Sequence, residues 1–136
     1  MRNKEFPFFT ILYLVAAAWN LVGAIFGYFN PEYTFQGIFE RPLNDPLFYE
    51  IYKGAWGTTF LFFFGYLIVA YNPIKHSGLA LIGGIGKFFF AIAELQLYLA
   101  GLANALILII VIGDFIFCAF FVYYFFKLYQ QKQTIF

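Results

Sequence analysis

The sequence predicts an all-α membrane protein: an up-down antiparallel bundle of four transmembrane helices with both termini in the cytoplasm. Of the 136 residues, 63% are hydrophobic and 11% are charged, whereas a soluble domain carries about 25% charged residues. The apolar stretches are continuous rather than alternating, which favours helices over the strands of a membrane barrel. A net charge of +1 gives no basic field for nucleic acid, so the lipid bilayer is the expected partner.

The first predicted span covers residues 7–29 and ends at the Asn-Pro pair at 30–31. A cleaved signal peptide is the alternative, because the three alanines at 16–18 resemble a small-residue cleavage site. The apolar run continues to residue 28 without a break, which is longer than the core of a signal peptide. A membrane span is therefore the preferred interpretation.

The segment 30–46 contains three prolines and is predicted to form the one substantial loop. At its end, Asn44-Asp45-Pro46 is typical of a helix start, with a capping residue followed by proline in the first turn. Short connections at 72–77 and near Gly101 make neighbouring helices antiparallel within a single domain, residues 1–136. The remaining predicted spans are 47–71, 78–100 and 102–128.

The distribution of lysine and arginine predicts the orientation, because basic residues are enriched in cytoplasmic loops. Only Arg41 falls in the loop expected on the outer side. The side shared by both termini carries Arg2, Lys4, Lys75, Lys127 and Lys132. We therefore expect a multi-pass protein of the cell's inner membrane, with its termini inside and segment 30–46 outside.

Polar residues within the predicted spans are the most informative positions. A charge near the bilayer centre costs at least ~2.5–3.5 kcal/mol on insertion scales, so such residues should face the bundle interior and pair. The candidates are Asn20, Glu50, Lys53, Lys87, Glu94, Gln96, Asn104 and Asp114.

Depth in the membrane predicts which of these residues meet. A helical rise of ~1.5 Å per residue places Lys87 ~14 Å from the inner end of its span and Asp114 ~18 Å from the outer end of its own. Both positions are close to the middle of a hydrocarbon core ~30 Å thick. Opposite charges at one depth on adjacent helices predict a Lys87–Asp114 ion pair.

A second cluster is predicted nearer the outside, with Lys53 paired to Glu94 and Asn20 at a similar depth. Lys87 and Glu94 are seven residues apart and share one helical face, which should line the interior. Two interpretations of these charges remain open. The ion pairs either fix which helices meet, or they form a polar cavity that binds a head group or carries a proton.

Glycines mark several helix surfaces. Gly23 and Gly27 form a GxxxG pattern, which predicts close helix packing inside the chain or a contact between copies. Gly83, Gly84 and Gly86 precede Lys87 and either serve packing or leave space for a ligand.

The sequence carries no recognisable catalytic or metal motif. Cys118 is the only cysteine and His76 the only histidine. A single cysteine lacks the paired spacing of a zinc or redox site, and a lone loop histidine is more often solvated than a ligand. We therefore expect no catalytic residues, no metal and no cofactor apart from a quinone or a lipid.

A dispersed pattern extends over most of the chain. It consists of Trp19-Asn20, Pro31, Gly54 with Trp56, Gly65-Tyr66, Asn72-Pro73 with His76, Gly86-Lys87 and Asp114. In these residues the chain resembles an uncharacterised branch of the DoxX-like group of small four-helix bacterial membrane proteins. That branch often carries Asn-Asp in the last span, where this chain has Gly113-Asp114. The resemblance implies a four-helix fold and, by analogy with the DoxX group proper, a membrane subunit in quinone-linked respiratory chemistry.

Four functions follow as hypotheses. The first is a non-enzymatic binding or accessory subunit for a lipophilic small molecule, a quinone or a lipid. Its pocket would be lined by Lys87, Asp114, Glu94, Lys53 and Asn20. The others are a membrane subunit of a quinone-linked oxidoreductase, a small proton or solute transporter, and a purely structural subunit. Besides lipid, a second copy of the chain or a larger membrane complex is the expected partner.

Overall fold

The computed structural model describes residues 6–133, and these residues are all-helical. Within this described part of the chain, four helices are long and apolar enough to cross a membrane, which confirms the predicted helical class. The shortest of these has 22 residues, or ~33 Å at ~1.5 Å per residue, against a hydrocarbon core of ~30 Å. The elements are α1 (Phe6–Gly27), α2 (Pro31–Phe39), α3 (Pro46–Tyr71), α4 (Ser77–Leu99) and α5 (Ile107–Gln130).

The short helix α2 lies where the sequence predicted only a loop. Pro31 occupies its first turn, where a missing N–H costs nothing, and Glu32 places a negative charge near the helix N-terminus. Glu40 ends the helix in the left-handed conformation, with a φ of 55°. Pro31, Thr34 and Ile38 are buried and share one face. The prediction treated Asn30-Pro31 only as a helix stop, whereas α1 already ends at Gly27 and Pro31 begins α2.

The predicted fourth span begins later than expected, at Ile107, because the chain after α4 first forms a turn-rich connection. Asn104 in this connection donates from its backbone N to the Ile38 carbonyl (2.9 Å). Its side-chain amide donates to the Gly37 carbonyl (2.7 Å), and its Oδ1 accepts from the backbone N of Leu106 (3.0 Å). Asn104 is therefore a loop residue that fastens α2 to the start of α5.

The long helices pack as two pairs. α1 lies along α3 and α4 lies along α5, while the contacts between the two pairs are sparser. Toward the start of α1, interlocked rings fill the space between the pairs. The Tyr13 ring centroid lies 4.8 Å from that of Phe121 and 5.1 Å from that of Tyr124. We call this set the aromatic cluster: Phe9, Tyr13, Tyr66, Phe121 and Tyr124, each at most 2% exposed.

The GxxxG surface of α1 packs against Trp56 of α3. A Cβ atom built on Gly27 would lie 2.0 Å from Trp56 Cδ2, and one on Gly23 would lie 3.2 Å from Cζ3 of the same ring. The packing interpretation of this pattern is therefore confirmed. The alternative, in which the glycines contact a second copy, stays a prediction, although the indole already covers Gly27.

We expect Gly27→Ala to lower the free energy of unfolding by ~1–3 kcal/mol, because the added methyl group overlaps the Trp56 ring and forces the two helices apart. Thermal unfolding in detergent measures the change. Gly54→Ala is the matched control, since its Cβ meets nothing within 4 Å and alanine gains up to ~1 kcal/mol in helix propensity. Equal effects of the two substitutions would contradict the close packing.

Candidate functional site

A buried ion pair between α4 and α5 lies among the packed helices. Lys87 Nζ is 2.9 Å from Asp114 Oδ1, and the two residues are 6% and 4% exposed. This contact confirms the pair predicted from equal depths. Because charges are costly in an apolar environment, both residues need further polar partners.

Two residues of α1 supply those partners. Lys87 Nζ donates to Asn20 Oδ1 (2.8 Å), and Trp19 Nε1 donates to Asp114 Oδ1 (3.0 Å). Asn20 in turn donates from Nδ2 to the Thr59 carbonyl of α3 (3.0 Å). We call Trp19, Asn20, Lys87 and Asp114 the polar cluster. It links all four long helices at one level.

Aromatic rings complete the surroundings of the ammonium group. Lys87 Nζ lies 5.1 Å from the Phe117 ring centroid and 5.5 Å from that of Tyr66. Both distances allow a cation–π attraction, which is stronger where water is excluded. The lysine is thus held by two hydrogen-bond acceptors and two ring faces.

Gly113 leaves the room that Trp19 needs to reach Asp114. A Cβ atom at this position would lie 2.2 Å from Trp19 Cζ2. The asparagine that the DoxX-like branch often carries before this aspartate would therefore collide with the indole as it lies here. The sequence showed Gly113-Asp114 in place of an Asn-Asp pair, but the predicted site did not include Trp19.

The predicted second cluster is wrong in its grouping. Lys53 is half-buried, and its Nζ lies 5.1 Å from the Tyr28 ring centroid. Within residues 6–133 it forms no ion pair with Glu94, and Asn20 bonds to Lys87 instead. Glu94 is half-buried, and within residues 6–133 the ion pair lies between Lys87 and Asp114 instead. Of the other candidates, Glu50 and Gln96 are exposed.

A cavity of about 1080 Å³ adjoins the polar cluster. Its polar end includes Asn20, Lys87 and Asp114, and all five helices contribute to its lining. Its walls are mainly aromatic and aliphatic: Phe26, Trp56, Phe62, Phe90 and Ile110. Tyr33 and Gln36 of α2 also belong to the lining.

The cavity reaches the outside of the helices on two sides. Between α1 and α5, its lining includes Val22 and Ile109, which are 52% and 62% exposed. Between α3 and α4, it includes the exposed residues Thr58 and Phe89. All four residues belong to helices that are apolar enough to span a membrane. Both openings therefore face acyl chains when the helices are embedded.

The cavity is open at its sides rather than sealed, and most of its lining is apolar. Apolar walls favour hydrocarbon over water as their neighbour. In a bilayer, an apolar group therefore suits most of this space, apart from the polar end at Lys87 and Asp114.

No protein-family model, curated protein or solved structure matches the chain. Within residues 6–133, no three His, Cys, Asp or Glu side chains lie close enough together to hold a metal ion. The thiol of Cys118 lies 3.8 Å from the Gly84 carbonyl oxygen. The chemistry available at the site is therefore that of the polar cluster and the cavity walls.

Removing either charge of the ion pair should lower stability by ~3–5 kcal/mol, because the remaining charge stays buried without its partner. We expect Lys87→Ala and Asp114→Ala each to show this loss in detergent melting. The double variant should recover part of it, since no unpaired charge remains. Additive losses would refute direct pairing.

The contact between Gly113 and the indole predicts a second coupling. Gly113→Ala should cost ~1–3 kcal/mol, because it displaces Trp19 from Asp114. In a Trp19→Phe background the same substitution should cost little, since the smaller ring leaves room for the methyl group. Unfolding of the four proteins of this cycle gives the coupling energy, and a value near zero would rule out the contact.

Proposed function

We propose that this chain is a non-enzymatic integral membrane protein that binds a lipophilic small molecule. The carrying observation is the cavity of about 1080 Å³ with Lys87 and Asp114 at one end. The ligand's polar group lies against the polar cluster, and its apolar part lies between the aromatic walls. No nucleophile with an adjacent base contributes to this site, so binding is the activity that its residues support.

Size and access both favour a ligand drawn from the bilayer. Pockets for drug-sized ligands have volumes of ~300–1,000 Å³, and this cavity is slightly larger. The openings beside Val22 and Phe89 face the hydrocarbon region, so a lipid-like molecule can enter from the side without crossing water.

We also propose that the four long helices form an up-down bundle in the inner membrane with both termini cytoplasmic. In support, Phe9 near the start of α1 contacts Tyr124 near the end of α5, and Trp19, later in α1, contacts Asp114, earlier in α5. The bias of basic residues gives the orientation. Two of those residues, Arg2 and Lys4, lie outside the part of the chain that the structure describes.

A bulky side chain placed in the cavity next to Lys87 should weaken ligand binding while leaving the helices folded. A Cβ atom on Gly86 meets nothing within 4 Å, and this residue lines the cavity. We expect Gly86→Leu to reduce a co-purifying lipophilic compound at least fivefold, as measured by mass spectrometry of the organic extract. Gly54→Leu is the matched control, because its Cβ is equally unobstructed and Gly54 lies outside the cavity lining.

Equal amounts of every extracted compound in the Gly86→Leu, Gly54→Leu and unaltered proteins would contradict ligand binding in this cavity. Lys87→Met offers a second route to the same answer. This variant should lose a compound whose polar group depends on the ammonium, even though the cavity keeps its volume.

A membrane subunit of a quinone-linked oxidoreductase is the second candidate. The aromatic walls of the cavity favour it, because rings such as Trp56 and Phe90 can stack on a flat head group. The DoxX-like resemblance supports the same proposal by analogy alone. A quinone in the organic extract, with an absorbance change on reduction, would favour this candidate over a simple lipid-binding protein.

A further inference from the structure

The cavity carries no net formal charge. Among its lining residues, Lys87 and Asp114 are the only acidic or basic side chains. They lie 2.9 Å apart, so their charges cancel locally. A charged head group placed beside them would introduce an unpaired charge into a space with apolar walls, which is strongly unfavourable.

The two side chains also retain hydrogen-bonding capacity. A lysine ammonium has three N–H donors, and Lys87 uses two of them on Asn20 and Asp114. Both donors that reach Asp114, from Trp19 and Lys87, bind the same oxygen, Oδ1. No donor among residues 6–133 is bonded to Oδ2. One N–H of Lys87 and the Oδ2 atom of Asp114 therefore have no hydrogen-bond partner among residues 6–133, and both residues line the cavity.

We propose that the ligand is a neutral amphipath with a hydroxyl head, such as a long-chain alcohol or a neutral lipid with a free hydroxyl group. This inference rests on the proposed function and specifies its ligand class. The hydroxyl oxygen accepts from Lys87, and the hydroxyl proton is donated to Asp114. The apolar chain runs past Trp56 and Ile110 toward α2.

Other head groups satisfy the site less well. A carboxylate head group places a second negative charge beside Asp114. An ammonium head group places a second positive charge beside Lys87. Both are disfavoured because like charges repel strongly in a medium of low dielectric constant. A carbonyl alone accepts from Lys87 but leaves Asp114 Oδ2 without a donor. A hydroxyl group is both donor and acceptor, so it matches both positions.

The chain carries its own reporters for a binding test. It contains two tryptophans, Trp19 and Trp56, and both line the cavity. Brominated chains quench tryptophan fluorescence at short range. The probes are 12-bromododecan-1-ol, 12-bromododecanoate, 12-bromododecan-1-amine and 1-bromododecane, added to the purified protein in phosphatidylcholine nanodiscs. Concentrations are compared as mole fractions in the bilayer, and Gly86→Leu gives the quenching that arises from the surrounding lipid.

In the unaltered protein, the alcohol should reach half-maximal quenching at a mole fraction at least tenfold lower than the other three probes. Asp114→Asn leaves the Lys87 charge unbalanced, so the carboxylate should become the preferred probe. Lys87→Met leaves the Asp114 charge, so the amine should become preferred. Glu50→Gln and Lys75→Met are matched controls on exposed residues outside the lining, and both should keep the preference for the alcohol.

The outcomes separate this inference from the proposed function. Binding of the carboxylate, the amine or the bromoalkane as tightly as the alcohol overturns the hydroxyl head, while lipophile binding stands. Quenching by every probe at the level of Gly86→Leu overturns both proposals. The probe series in the unaltered protein decides the question even where a charge variant fails to fold.

Discussion

The ion pair between Lys87 and Asp114 is the constraint on which the arrangement of the helices depends. Two charges in an apolar interior are tolerated only when their hydrogen-bonding groups find partners, because desolvation can exceed the Coulomb attraction. Asn20 and Trp19 meet this need from α1, and the Thr59 carbonyl ties Asn20 to α3. A sliding movement of any long helix by one turn, ~5.4 Å, would separate at least one of these partners. The pair therefore fixes register more than it adds stability.

The distribution of bulky and small residues around this level determines where the cavity lies. Toward the start of α1, rings such as Tyr13 and Phe121 fill the space between the two helix pairs. On the other side of the polar cluster, Gly86 faces open space and lines the cavity, to which α2 also contributes. Asn104 fastens α2 to the connection before α5, which keeps that end covered. Near the start of α1, aromatic rings thus fill the space between the helix pairs. On the other side of the polar cluster, the helices enclose a cavity that is lined in part by Lys87 and Asp114.

The sequence was sufficient for the helical class, the four long apolar helices and the Lys87–Asp114 pair. Because only 11% of the residues are charged, few opposite charges fall at the same depth in the membrane. The pairing of Lys87 with Asp114 could therefore be predicted from depths calculated with the helical rise per residue. Asn20 was assigned to the wrong cluster because its predicted depth lies within about one helical turn of both the Lys87–Asp114 level and the Lys53–Glu94 level. That difference is smaller than the uncertainty in the predicted helix ends. Trp19 was missed because indoles are expected to face lipid or its interface. The cavity could not be predicted, since it depends on which rings fill the space between helices.

The structural and the functional interpretation of the buried charges do not exclude each other. Bonds to Asn20 and Asp114 hold the Lys87 ammonium in place, yet they use only two of its three donors. A side chain fixed in this way is pre-organised to meet a ligand, because little freedom remains to be lost on binding. A molecule that occupies the cavity would also pack against its aromatic and aliphatic walls. The same four residues can therefore set the register of the helices and define the head group that the cavity accepts.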